Sequence, residues 1–295
     1  VSAGAAVTDA PADPVAIVCG AGVFPFAVAD AASRRGRRVV LFALRGWADP
    51  QLVARFPHHW FALGQTATVI RHAREEGCRD FVFIGSLVRP SIRQLRMDFT
   101  TLRLLPRIFR LFRGGDNHLL SGLGQILEEQ GLRVVGAHEI APEILVPAGV
   151  LGRHRPSARD MADVALGGSL LDRMGPFDIG QAVVIADRRV LAIEAAEGTD
   201  QMLARVATMR AEGRISLPGP MGVLVKAPKP QQDRRYDLPS VGARTVDAAA
   251  KAGVAGIAVE AGGAISADLQ DLIRAADAAG LFFIGFDRTR LGAQT

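Results

Sequence analysis

The amino-acid sequence predicts an α/β protein of two domains, an N-terminal Rossmann-like parallel α/β domain and a C-terminal mixed α/β domain. Three observations carry that expectation. Short apolar runs rich in β-branched residues recur along the chain, from Val15–Cys19 to Leu281–Phe286. Helical stretches alternate with them at the spacing of strand–helix–strand units. With 295 residues and 49% apolar content, the chain can build two cores of ordinary size.

Residues 1–14 are rich in Ala, Asp and Pro and lack a basic or apolar block, which predicts a disordered tail rather than a signal peptide. The first domain is expected over residues 15–152. Its opening strand, Val15–Cys19, runs into Gly20-Ala-Gly-Val-Phe-Pro25 and an apolar helix through Ala32. Free amides at such a turn can hold a phosphate, which makes Gly20 and Gly22 substrate-binding candidates; a purely structural turn has the same composition. A dinucleotide fingerprint is not met. Pro25 stands at the third glycine position, and Arg45 rather than an acid ends the next strand, Val39–Leu44. A helix over Thr66–Glu76, a strand over Asp80–Ile84, a helix over Leu119–Gln130 and a strand over Leu132–Val135 continue the alternation, with residues 136–147 as a loop. Among them Arg93, Arg96, Arg103, Arg107 and Arg110 recur between Leu and Phe residues at helical spacing, with a break at Pro106. That segment suits either an anionic lipid surface or a packed helix with a solvated basic face.

Residues 153–160 read as a linker and residues 161–290 as the second domain, with a helix from Ser157 to Leu171 at the junction. Ala182–Ala186 and Val190–Ile193 are strands joined by an Asp187-Arg-Arg hairpin turn. Beyond them Glu194, Glu197 and Asp200 gather at a strand end, ahead of a helix over Met202–Arg210. These carboxylates are candidate ligands for a divalent cation, or surface charge with Thr199 or Asp200 capping the helix. The strand-like run Gly222–Val225 then leads into Lys226-Ala-Pro-Lys-Pro-Gln-Gln-Asp-Arg-Arg-Tyr-Asp-Leu-Pro239. This loop holds two of the chain's three lysines, against thirty-two arginines elsewhere and within it. Lys in so Arg-rich a chain marks a place for a compact ammonium. Pro228, Pro230 and Pro239 predict a stiff, extended loop, either a site for phosphate and metal chemistry or a solvated surface loop. Helices over Thr245–Ala252 and Leu269–Ala279, with strands over Val254–Val259 and Leu281–Phe286, complete the domain. Strand ends thus supply Glu194, Lys226 and Glu260, which converge on one edge if those strands share a sheet.

The net charge of +5 favours anionic partners, but 6% aromatics with a single Tyr leave few stacking platforms, so nucleic acid is not expected. Cys19 and Cys78 form no Cys-x-x-Cys pair, which speaks for a reducing compartment and against a zinc ribbon. No apolar run approaches the ~18 residues of a membrane span, so the protein is expected to be soluble or at most peripheral.

Seven stretches, taken together and in order, resemble one family. They are Gly20-Ala-Gly-Val-Phe-Pro25, Gly115-Asp-Asn-His-Leu-Leu120, Val135-Gly-Ala-His-Glu139, Asp178-Ile-Gly-Gln-Ala-Val-Val184, Glu194 to Leu203, Lys226 to Pro239, and Gly256-Ile-Ala-Val-Glu-Ala-Gly-Gly263. They are similar to the LpxI-type UDP-2,3-diacylglucosamine pyrophosphatases of lipid A biosynthesis, over essentially everything after the tail. The resemblance implies hydrolysis of the pyrophosphate of UDP-2,3-diacylglucosamine to UMP and 2,3-diacylglucosamine 1-phosphate. It also implies Mg²⁺ or another divalent metal, and water attack at the phosphorus on the sugar side. A lipid-linked substrate places the protein in the cytoplasm, peripheral to the inner membrane, where the basic apolar segment gains a use; a homodimer is a further expectation. A non-catalytic sensor of a nucleotide-sugar or phospholipid is the alternative, since it would share the glycine turn and lysine loop.

Pyrophosphate cleavage needs positive charge on the non-bridging oxygens, a positioned water, and a carboxylate to orient it or hold a metal. Residue type and placement nominate Lys226 and Lys229 as phosphate clamps. Asp237 is the first choice for the catalytic carboxylate and a metal ligand, and Asp233 the second. Glu194, Glu197, Asp200 and Glu260 are candidate metal or water ligands. Gln181, Thr199, Gln232 and Arg235 are candidate polar contacts to substrate.

Overall fold

A computed structural model describes residues 13–86, 116–216 and 218–291, and the chain divides into two units, Val1–Pro142 and Glu143–Thr295. The arginines from 93 to 110 lie outside the described residues.

In the first unit five parallel strands lie in the order β3-β2-β1-β4-β5. They are β1 (Val15–Cys19), β2 (Val39–Leu44), β3 (His58–Phe61), β4 (Asp80–Ile84) and β5 (Arg133–Val134). β2 is buried at every position, since helices cover both faces of such a sheet; hence its unbroken apolar run. The helices are α1 (Phe24–Arg34), α2 (Pro50–Val53), α3 (Thr66–Glu75), α4 (Asp116–Glu128) and α5 (Ala137–Ile140). α5 occupies part of the stretch expected to be a loop. β3 was not expected, because its two histidines and edge position break the apolar signal that its neighbours carry.

The strand order reverses between β1 and β4, where an α/β sheet opens a crevice. Here the two strand ends are tied by a bridge between Ala21 and Ser86. A Cβ on Gly20 would lie 2.9 Å from the Ser86 carbonyl oxygen, so this close approach of two backbones itself demands glycine. Cys19 and Cys78 are buried free thiols, and burial pushes their pKa values up to about 12 and about 11.

The second unit is a six-stranded mixed sheet in the order β6-β11-β10-β9-β7-β8. Its strands are β6 (Gly149–Val150), β7 (Ala182–Ala186), β8 (Arg189–Ile193), β9 (Val223–Lys226), β10 (Gly256–Glu260) and β11 (Phe282–Phe286). The helices are α6 (Ala158–Met174), α7 (Gly198–Ala211), α8 (Ala243–Lys251), α9 (Leu269–Ala278) and the short α10 (Arg288–Leu291). Strand residues alternate between two apolar layers. Val184, Leu224 and Ile257 join Met202, Val246 and Leu272 on one face, while Val183, Val225 and Ala258 join Val164 and Leu171 on the other. The hairpin turn between β7 and β8 has positive φ at Asp187 (52°) and Arg188 (59°), as a tight two-residue turn requires. Buried Asp163 holds it by accepting from Asp187 N (3.0 Å) and Arg188 N (2.7 Å).

The division between units falls ten residues before the expected Gly152, because β6 pairs with β11 and belongs to the second sheet. Residues 153–160 are likewise fastened to that unit. Arg153 N donates to Asp277 (2.7 Å), and Ser157 caps α6 by accepting from Asp160 N (3.2 Å).

The first unit carries a charge cluster around Asp80. Asp80, at the start of β4, accepts a two-pronged contact from Arg133 (2.7 and 2.9 Å) and ion-pairs with Arg37. Burial pulls its pKa upward, but the two guanidiniums outweigh burial and hold it below the ordinary aspartate range. A depressed folded-state value means that the contribution to stability is complete above the unfolded pKa, and is lost as pH falls through the folded one. Asp80→Ala is therefore expected to destabilise the first unit by about 2 kcal/mol at neutral pH, the scale for hydrogen bonds to a charged group. In urea unfolding the gap from the unaltered protein should narrow below about pH 4. A gap independent of pH would refute the assignment.

Candidate active site

β8, β9 and β10 point the same way, because β7 runs antiparallel to both β8 and β9. Their C-terminal ends and the start of β7 therefore bring Glu194, Lys226, Glu260 and Gln181 to one edge of the sheet. The Lys226 side chain is buried, and its ammonium donates to Thr199 Oγ1 (3.0 Å) and to the Ser240 carbonyl (2.9 Å). Thr199 Oγ1 in turn donates to Glu194 Oε1 (2.7 Å), whose other oxygen accepts from Gln181 N (2.8 Å). Burial drives the Lys226 pKa below the ordinary lysine range, while Glu194, Asp200 and Asp237 pull the other way. Thr199 and Asp200 do not cap α7 as expected. The cap position is Glu197, and both residues lie in the first turn. Gly180, at φ 43°, lets the chain close onto this group, since a Cβ there would stand 2.2 Å from the Glu194 carbonyl oxygen.

A second group adjoins the first through Gln181. Gln181 Nε2 donates to Asp237 Oδ2 (2.8 Å) and to Gln232 Oε1 (3.2 Å). Gln232 Nε2 also donates to Asp237 Oδ2 (2.5 Å), and Gln232 Oε1 accepts from Lys229 N (3.1 Å). The Lys229 ammonium ion-pairs with Asp178 and donates to its carbonyl (3.3 Å). Asp178 was assigned no role from sequence. It adopts a left-handed conformation (φ 56°, ψ 30°) that Asp tolerates better than most residues. The Asp-x-Gly-Gln spacing, with Gln181 three residues on, was the available signal.

The rest of the loop from 226 to 239 is anchored by charge. It makes turns rather than one extended run: Gln232 N donates to the Lys229 carbonyl (3.0 Å) and Tyr236 N to the Asp233 carbonyl (3.1 Å). Asp233 is gripped by the Arg235 guanidinium (2.8 Å), which holds its pKa below the ordinary range. Arg234 reaches Glu260 (3.1 Å), and Arg288 ion-pairs with both Glu260 and Asp172 while donating to the Pro228 carbonyl (3.0 Å). Arg288 had no sequence signal, because its partners are 28 to 116 residues away in the chain.

The five carboxylates expected to bind metal thus divide. Glu260 is engaged by two arginines, Glu197 by Arg205 (3.0 Å), and Glu194 by Thr199 and Gln181. Asp237 Oδ1 and Asp200 Oδ1 have no hydrogen-bond partner among the described residues. Among those residues no three His, Cys, Asp or Glu side chains form a preassembled metal cluster. A carboxylate with such an oxygen suits Mg²⁺, which is commonly held by one or two carboxylates and completes its shell with water and substrate phosphate. Gly20, Gly22 and their turn belong to the first unit.

The fold and this edge define a class: a two-domain α/β protein whose second sheet gathers lysine, carboxylate and amide side chains at one edge. The comparisons narrow it. The family model described as the LpxI N-terminal domain matches residues 14–144, and that of the LpxI C-terminal domain matches residues 147–284. The chain belongs to the LpxI family. It is 38% identical over 271 residues, 92% of this chain and 96% of the relative, to the UDP-2,3-diacylglucosamine pyrophosphatase LpxI of Caulobacter vibrioides.

Lys226 must stay charged to serve as an anion-binding group, and its burial works against that. We expect kcat/KM for pyrophosphate hydrolysis to decline on an alkaline limb set below the ordinary lysine range of about 10.4. An active Lys226→Arg protein, permanently charged, should lack that limb. The same limb in both proteins would assign it to another group.

Proposed function

We propose that this protein hydrolyses the pyrophosphate bond of UDP-2,3-diacylglucosamine, releasing UMP and 2,3-diacylglucosamine 1-phosphate. The observation that carries the reading is a 38% identity spanning 92% of the chain, and so both units, with a relative of that named activity. The site chemistry supports it. Lys226 and Lys229 bring two ammonium groups to the edge where Asp237 is held, so the charge developing on non-bridging phosphate oxygens meets fixed positive charge.

In this reading Asp237, with one oxygen fixed by two amides, uses the other to orient a water and accept its proton. The water oxygen bonds to the sugar-side phosphorus as the bridging P–O bond breaks, and the bridging oxygen leaves with UMP. Asp200, whose Oδ1 is also without a partner among the described residues, is the residue that would hold Mg²⁺. A divalent ion there supplies Lewis-acid neutralisation of the phosphates. The remaining elements of the proposal follow from the substrate. The protein works in the cytoplasm and meets its lipid-linked substrate at the inner membrane surface, and among the described residues no helix is long and apolar enough to cross a membrane. Self-association as a homodimer is part of the same reading.

The test is UMP release from UDP-2,3-diacylglucosamine by the unaltered protein and by Asp237→Ala, with Mg²⁺ and with EDTA. Release should require the metal and fall at least ~100-fold in the variant, the scale for a lost acid–base group. No release by the unaltered protein would leave binding without catalysis as the better account. Full activity in the variant would move the carboxylate role elsewhere.

A further inference from the structure

The hydrogen bonds of Gln232 leave it a single orientation. Lys229 N–H can only donate, so the atom facing it at 3.1 Å is the side-chain carbonyl oxygen of Gln232. That choice turns Nε2, a donor, to Asp237 Oδ2 at 2.5 Å. Gln181 obeys the same constraint. Its Nε2 donates both to Gln232 Oε1 and to Asp237 Oδ2, while its backbone N–H holds Glu194. Asp237 Oδ2 therefore receives two amide donors, and Oδ1 is left without a partner among the described residues.

We propose that Gln232 is a positioning residue, which fixes the Asp237 carboxylate with one oxygen held by the protein and the other presented to the reacting water. Gln232 is itself buried, at 8% exposure, with both ends of its amide engaged inside the protein. This differs from the polar contact to substrate that the sequence nominates. Gln232 acts through Asp237, and its link to Lys229 N makes the register of the lysine loop part of the same device. A carboxylate on an exposed loop would otherwise sample several rotamers; two donors converging on one oxygen remove that freedom before substrate arrives. The inference rests on the reading of Asp237 as the reacting carboxylate.

Gln232→Glu is nearly isosteric and separates positioning from mere packing. It keeps an acceptor toward Lys229 N but sets a second carboxylate oxygen against Asp237 Oδ2. Two carboxylate oxygens in contact repel, so Asp237 loses one of its two donors and is pushed from its fixed position. We expect kcat for UMP release to fall about tenfold or more in this variant, with KM within about twofold. Gln232→Leu, close in size and without an amide, should lower kcat about tenfold to a hundredfold and leave KM within about twofold. Circular dichroism melts of both variants check that the fold is retained, and either variant alone suffices for the test. An unchanged kcat in Gln232→Glu, or an effect of either variant that falls on KM, would overturn the proposal, the latter by making Gln232 a substrate contact. Asp237→Ala keeps the two failures apart. If it stays active, the reading of Asp237 fails. If it is inactive while Gln232→Glu and Gln232→Leu keep full kcat, only the inference fails.

Discussion

The arrangement of the second unit depends on one buried ammonium. Lys226 ends the central strand β9 inside the protein, where an unpaired charge would cost several kcal/mol. Its neutralisation recruits residues far apart in the chain: Thr199 and Asp200 from the start of α7, Glu194 from the end of β8, the Ser240 carbonyl after the loop, and Asp237 within it. Together they offset part of the cost of burying the charge, so one lysine ties four segments of the chain together. The mixed strand directions serve that end. Parallel and antiparallel neighbours deliver two strand C-termini and one strand N-terminus to the same edge, where Glu194, Lys226 and Gln181 meet.

Fixing the loop from 226 to 239 falls to a different set of contacts. Arg234 and Arg288 fasten it from one side through Glu260, Asp172 and the Pro228 carbonyl. Gln181, Gln232 and Asp178 fasten it from the other. The prolines limit the unfolded freedom of the segment, but its path is set by these polar contacts and by the turns at Gln232 and Tyr236. This separates carboxylates with similar sequence surroundings. Asp233 and Glu260 are occupied in holding the loop, whereas Asp237 and Asp200 each keep an oxygen without a hydrogen-bond partner among the described residues.

Much of the fold was legible because buried strands in α/β sheets are continuous apolar runs. Val15–Cys19, Val39–Leu44, Asp80–Ile84 and Ala182–Ala186 are strands with the bounds their composition indicates. β3 and β6 were not legible. The first is short, with two histidines, and the second is a two-residue edge strand beginning with glycine, so neither carries a hydrophobic period. At the site, scarcity of lysine pointed to Lys226, and the directions of β8, β9 and β10 bring Glu194 and Glu260 to the same edge. Composition could not tell which acids are free. That depends on where Arg205, Arg234, Arg235 and Arg288 reach, and a guanidinium's partner is set by tertiary packing rather than by spacing along the chain.

The two thiols of the first unit bear on how the molecule can be studied. Cys19 and Cys78 are buried and hold their protons well above neutral pH, so almost none of either is present as the reactive thiolate. Alkylating and maleimide reagents will therefore pass over both while the chain is folded. A single cysteine introduced on an exposed position would be the preferred target for a fluorophore or spin label, with both native cysteines left in place. The folded core thus supplies a chemically silent background for a probe attached beside the lysine loop.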